Sequence, residues 1–121
     1  MRIIYIEDNL ANVALIERIC HMNEDALVTY NDPETALANI EPGSAELILM
    51  DLHLGTRAID GLQLTRLLRQ KGVQEPIIAI TAYDNLGYAD QYLAAGCNGY
   101  VRKPVAIRSM LSLINTYRSQ E

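Results

Sequence analysis

The sequence predicts an α/β domain built on an open, parallel five-stranded sheet, and three observations carry that prediction. Five short strand-like runs alternate with five helical patterns, the signature of repeated β-α-β units. The central runs, Leu47-Ile48-Leu49-Met50 and Ile77-Ile78-Ala79-Ile80, are apolar throughout, as strands covered on both faces must be. Four of the runs also end in reactive residues. Arg2–Ile6 leads into Glu7-Asp8, the Leu47 run into Asp51, the Ile77 run into Thr81, and Gly99–Arg102 into Lys103-Pro104. In open parallel sheets, ligands bind beyond the carboxyl ends of the strands. One rim would therefore carry three carboxylates, a hydroxyl and an ammonium, a site suited to a divalent cation and a phosphoryl group.

Each element has its own local reason. After the first strand, Asn9 to Met22 places Val13, Ile16, Ile19 and Cys20 on one helical face. Ala26 to Tyr30 is a short second strand. Asp32-Pro33-Glu34 then supplies an N-cap, a proline at the first helical position and an acid in the first turn. Leu37 and Ile40 form the apolar face of that helix, and Pro42-Gly43 stops it. The third strand delivers Asp51. A loop through Gly55 reaches Asp60-Gly61, and the helix after it carries Leu64, Leu67 and Leu68 before Gly72. The fourth strand delivers Thr81, Asp84 or Asn85 caps the next helix, and Gly96 stands where a left-handed C-terminal residue belongs. The fifth helix runs from about Val105 to Tyr117, with Ile107, Met110, Leu111 and Ile114 facing inward.

The 121 residues fit one domain spanning 1–121, with no repeat, linker or low-complexity segment. A formal charge of −5 and only two lysines argue against nucleic acid, whose phosphates need clustered basic residues. No apolar stretch approaches a membrane span and no signal peptide is present, so no membrane role is expected. Cys20 and Cys97 lack metal-ligand spacing and read as small apolar residues, in keeping with a reducing cytoplasm.

Two adjacent acids and a third on a neighbouring strand repel one another, by about 4 kcal/mol per pair at 4 Å and an effective dielectric near 20. A hard cation with oxygen ligands offsets that cost, and Mg2+ typically takes one or two carboxylates, several waters and a phosphate oxygen. Singly, each residue has a plainer reading: Glu7-Asp8 as a solvated turn, Asp51 as a cap, Thr81 as a strand end, Lys103 as a solvated charge. One functional reading accounts for all five at strand ends together.

These residues carry a family resemblance. Glu7-Asp8, Asp51, Thr81-Ala82, Tyr100 and Lys103-Pro104, with Asp60-Gly61 and Ala95-Gly96 as landmarks, make the chain resemble a response-regulator receiver domain of the CheY-like, flavodoxin-like type over essentially its whole length. The resemblance implies a doubly wound sheet of strand order 2-1-3-4-5 and a stand-alone phosphoacceptor domain of a two-component or phosphorelay system. Asp51 would take a phosphoryl group from a phosphohistidine on a histidine kinase or histidine phosphotransfer protein. Asp8 and Asp51 would ligate Mg2+, with Glu7 acting through water and the backbone carbonyl of His53 as a further ligand. Lys103 would neutralise a phosphoryl oxygen, Thr81 would hydrogen-bond another, and Ala82 would leave room for the backbone to approach. Lys103-Pro104 would be cis. Tyr100 would turn inward as Thr81 moves, changing a partner surface made by the fourth helix, fifth strand and fifth helix. Such a domain phosphorylates and dephosphorylates itself without turning over a separate substrate.

The chain departs from the family between Asp51 and the third helix. Gly55 stands where a proline is usual, and Asp60-Gly61 comes two residues late, so Gly55–Ile59 makes a longer loop in which Arg57 reads as a solvated charge. His53 and Tyr83 occupy positions that tune phosphate lifetime in the family, and their bulk is expected to shield the acyl phosphate from water. Tyr88 and Tyr92 share a face of the fourth helix, as core or as partner surface, with Tyr88 favouring the partner. Three other functions compete: an Asp-nucleophile phosphatase, for which Asp51-Leu52-His53 lacks a second aspartate; a flavin electron carrier, whose phosphate Glu7-Asp8 would repel; and a receiver that signals by contact alone.

Overall fold

The computed structural model describes residues 1–52, 60–82 and 86–118, the side chains of 86–89 excepted. The elements alternate without exception: β1 (Arg2–Ile6), α1 (Leu10–Met22), β2 (Ala26–Tyr30), α2 (Pro33–Asn39), β3 (Leu47–Asp51), α3 (Gly61–Lys71), β4 (Ile77–Thr81), α4 (Leu86–Ala95), β5 (Gly99–Arg102) and α5 (Ile107–Arg118). All strand pairs are parallel, and the sheet order is β2-β1-β3-β4-β5. This is the doubly wound, flavodoxin-like architecture.

Helices cover both faces, which is why β3 and β4 are apolar at every position before their last. Ile3, Tyr5, Leu49 and Ile80 pack under α1 and α5. Ile4, Ile6, Met50 and Ala79 pack on the opposite side against α3 and Tyr92 of α4. Both cysteines are buried free thiols.

Local chemistry sets the helix ends. The Asn9 carboxamide oxygen accepts from the Asn12 N–H at 3.0 Å, and Asp32 does the same for Thr35. Asp60 and Gln63 form a reciprocal capping box at the start of α3. Three expectations need correction. α2 ends at Asn39, before Pro42-Gly43, because Ile40 is already extended (φ −80°, ψ 123°) and buries its side chain in the core. α5 begins at Ile107 rather than Val105. Ile107 is 45% exposed, since it opens the helix ahead of the Met110–Ile114 stripe that packs on the sheet. Leu37, Leu67 and Leu111 are half-buried. The cap at Asp84 or Asn85 and the loop Gly55–Ile59 lie outside the described residues.

Gly61 ties the fold to the rim. A Cβ there would lie 2.6 Å from the Asp51 carbonyl oxygen and 2.7 Å from the Leu52 Cα, so the first turn of α3 sits directly on the end of β3. Gly61→Ala must push that backbone apart. It should destabilise the domain by about 1–3 kcal/mol, the usual cost of overpacking, measurable by urea unfolding.

Candidate functional site

The carboxyl rim gathers the chemistry. Glu7 and Asp8 follow β1, Asp51 ends β3, and Thr81 ends β4. Lys103 follows β5, and its N–H donates to the Thr81 carbonyl at 2.7 Å, so the pairing of the two strands runs on to the residue that carries the ammonium. The Lys103–Pro104 peptide is cis. Lys103 Nζ lies 3.0 Å from Asp51 Oδ1 and 3.9 Å from Glu7 Oε1, with about a quarter of the lysine side chain exposed.

Glu7 and Asp51 are each 1% exposed, whereas Asp8 is open to solvent. One oxygen from each of the three acids lies within 4.8 Å of the others. Burial, and then a hydrogen bond shared with Asp51, raises the Glu7 carboxyl above its ordinary range. The donor set is all oxygen and anionic, which fits Mg2+ and not a soft metal. Glu7, Asp8 and Asp51 are the residues that could hold such a cation.

Two residues that sequence reasoning did not single out fix Glu7. The Tyr5 hydroxyl donates to Glu7 Oε1 at 2.7 Å, and Asn12 Nδ2 donates to the same oxygen at 3.0 Å. The Asn9 N–H approaches Oε2 at 3.4 Å. Glu7 comes two residues after Tyr5, just past the end of β1, so the two side chains point to one face of the sheet. That spacing was the available signal, but a tyrosine inside an apolar strand reads as core. Burial, and then its bond to Glu7, push the Tyr5 phenol well above its usual range, so it stays a donor. Tyr5→Phe should weaken Mg2+ binding at pH 7 by roughly 10-fold, the scale on which residues supporting metal ligands act. Calorimetric titration with MgCl2 measures it.

Thr81 is fully buried, and its Oγ1 lies 3.3 Å from the hydroxyl of Tyr92. Tyr92 is core, 3% exposed, and so resolves the choice left open for it, while the side chain of Tyr88 is outside the described residues. Tyr100 is 43% exposed and makes an edge-on contact with Tyr92. Ala82 is exposed, and His53 and Tyr83 lie outside the described residues. A groove of about 460 Å³ opens beside the site between α1 and the β5–α5 connection, lined by Tyr5, Asn12, Leu15, Ala82, Lys103 and Pro104 among others.

The model of the response regulator receiver domain matches residues 3–115. The chain belongs to that family. It is 26% identical to the polar-differentiation response regulator DivK of Brucella anthropi, over 95% of this chain and 94% of that protein. It is 30% identical to the hybrid signal transduction histidine kinase M of Dictyostelium discoideum over 93% of this chain, yet spans only 5% of that kinase's length. The receiver domain of a sensor histidine kinase from Pseudomonas aeruginosa superposes with a TM-score of 0.83 at 30% identity, covering 96% of this chain and 95% of that one. Its structure holds a magnesium ion in the active-site cleft. A two-component response regulator from Clostridium difficile superposes at 0.89 with 18% identity, covering 98% of this chain and 96% of that one, and shares the fold. As a member of this family, the chain is a receiver domain of two-component signalling. Among the described residues, no helix is long and apolar enough to cross a membrane.

Proposed function

We propose that the receiver domain, residues 1–121, accepts a phosphoryl group on Asp51 from a phosphohistidine and thereby changes a partner surface. The observation that carries this is the Lys103 ammonium 3.0 Å from a buried Asp51 carboxylate, inside a cluster of three acids at the carboxyl rim.

An Asp51 oxygen attacks the phosphorus in line, the P–N bond to the donor imidazole breaks, and an aspartyl phosphate forms. Transfer of this kind passes through a loose transition state, so positioning and charge neutralisation do most of the work. Asp8 and Asp51, with Glu7 through water and the His53 carbonyl, would hold Mg2+, which would supply positive charge beside the phosphoryl oxygens. Lys103 supplies positive charge of its own and holds Asp51 in place before transfer. Thr81 donates to a further phosphoryl oxygen. Tyr5 and Asn12 keep Glu7 fixed, so the acidic cluster needs no rearrangement.

The donor is a histidine kinase or histidine phosphotransfer protein, consistent with histidine kinases among the relatives. The output is the α4–β5–α5 face, where Leu93, Tyr100 and Ile107 expose apolar surface. A cytoplasmic site of action belongs to the same proposal.

Phosphoramidate, a donor with the same P–N bond, tests the assignment. With Mg2+ present, the phosphoryl group is expected on the Asp51 peptide, in a linkage that hydroxylamine cleaves. Label on His21 or His53, or on no residue, would contradict it.

A further inference from the structure

The switch region holds a side chain that the receiver reading leaves without a role. On β4 and β5, Ala79 pairs with Tyr100 and Thr81 with Arg102, so Ala79, Thr81 and Tyr100 point to one face of the sheet. Tyr92 of α4 covers that patch. Its ring packs in the core cluster with Ala79, its hydroxyl lies 3.3 Å from Thr81 Oγ1, and its centroid is 5.7 Å from that of Tyr100 at an interplanar angle of 64°. Tyr100 lies on the outer side of this ring, 43% exposed. Tyr92 thus touches both Thr81 and Tyr100.

We infer that Tyr92 is the positioning residue through which Thr81 acts on the α4–β5 surface, with Tyr100 following Tyr92 rather than contacting Thr81 itself. This rests on the phosphoacceptor reading of Asp51. A hydroxyl has one proton to donate and two lone pairs with which to accept. When Thr81 donates to a phosphoryl oxygen, its oxygen still accepts from Tyr92, so the pair survives with Tyr92 as donor. At 3.3 Å the pair is already long for two hydroxyls. Drawing Thr81 toward Asp51 stretches it further unless Tyr92 follows. A ring in a close-packed interior follows only if its neighbours move, and those neighbours are α4 and Tyr100. An inward turn of Tyr100 would instead require Tyr92 to leave.

The test follows the α4 amides of Leu93, Ala94 and Ala95 and the Tyr92 ring by NMR, with and without acetyl phosphate and Mg2+. The samples are the parent, Tyr92→Phe and Tyr100→Phe, and intact mass on each reports phosphoryl uptake separately. Tyr92→Phe should still gain the phosphoryl mass while its α4 shifts shrink at least about twofold, the smallest effect expected from losing one buried hydrogen bond. Tyr100→Phe should keep them. Undiminished α4 shifts in phosphorylated Tyr92→Phe, or their loss in Tyr100→Phe, would overturn the inference. A parent that gains no mass from acetyl phosphate or from a phosphohistidine protein defeats the phosphoacceptor reading instead. The inference is then decided by unphosphorylated Thr81→Ala, which must shift the Tyr92 ring and the α4 amides; unmoved resonances there would overturn it.

Discussion

Lys103→Met is expected to slow phosphoryl incorporation by about 100- to 1000-fold, the scale on which one preorganised donor acts on developing charge. The ammonium lies 3.0 Å from Asp51 and 3.9 Å from Glu7, and among the described residues it is the cation that faces the cluster. Methionine keeps most of the length and removes the charge. The same substitution should make the metal-free protein less stable, because three acids then face one another with no lysine between them. It should also let Mg2+ stabilise the variant more than the parent, since the cation no longer approaches an ammonium. Phosphoryl uptake followed by mass over time, and thermal unfolding with and without MgCl2, measure the two effects. Equal uptake rates would remove Lys103 from the chemistry.

The second large effect lies far from the site. The Asp25 side chain is buried and accepts two hydrogen bonds from Arg118 and one from the Met1 ammonium. This joins the start of β2 to the end of α5 and to β1. Asp25→Ala takes the carboxylate away from Arg118, which also donates to Asn115 Oδ1 at 3.3 Å. Breaking a buried pair from one side costs about 3–5 kcal/mol. Arg118 keeps about a third of its side chain in water, which screens the interaction. A loss of about 2–3 kcal/mol is the expected result once that screening is counted. The pH dependence has a definite sign. The Arg118 guanidinium holds the Asp25 carboxyl below its ordinary range. The stabilisation is therefore complete above the unfolded-state pKa, near about 3.9, and is lost as pH falls through the depressed native value. Urea unfolding at pH 7 should separate parent and Asp25→Ala widely, and the gap should begin to narrow below about pH 4 and close as pH falls past the depressed native value.

Most of the architecture was legible because β-α-β punctuation is local. Asp32-Pro33-Glu34 announces a helix start by its own chemistry, and the apolar run at Leu47–Met50 needs no partner to read as a buried strand. The strand order required the family resemblance, since nothing in β2 itself says it lies at the edge. The rim acids, Thr81 and Lys103 were legible as strand ends. Their support was not. Tyr5 reads as one more core residue until the fold puts Asn12 of α1 on the same Glu7 oxygen. Tyr92 and Thr81 are eleven residues apart, on different elements, and only packing brings their hydroxyls together. Ile107 fails for the opposite reason. Helical periodicity assigns it to the inward stripe, but periodicity carries no information about where the packed part of the helix begins.

The most direct test of the central claim is intact mass after incubation with acetyl phosphate and Mg2+, run beside Asp51→Asn. The account predicts a gain of one phosphoryl group in the parent, and none in Asp51→Asn or in the parent without Mg2+. The same gain in Asp51→Asn, or a folded and Mg2+-binding parent that takes no phosphoryl group from either acetyl phosphate or a phosphohistidine protein, would contradict it.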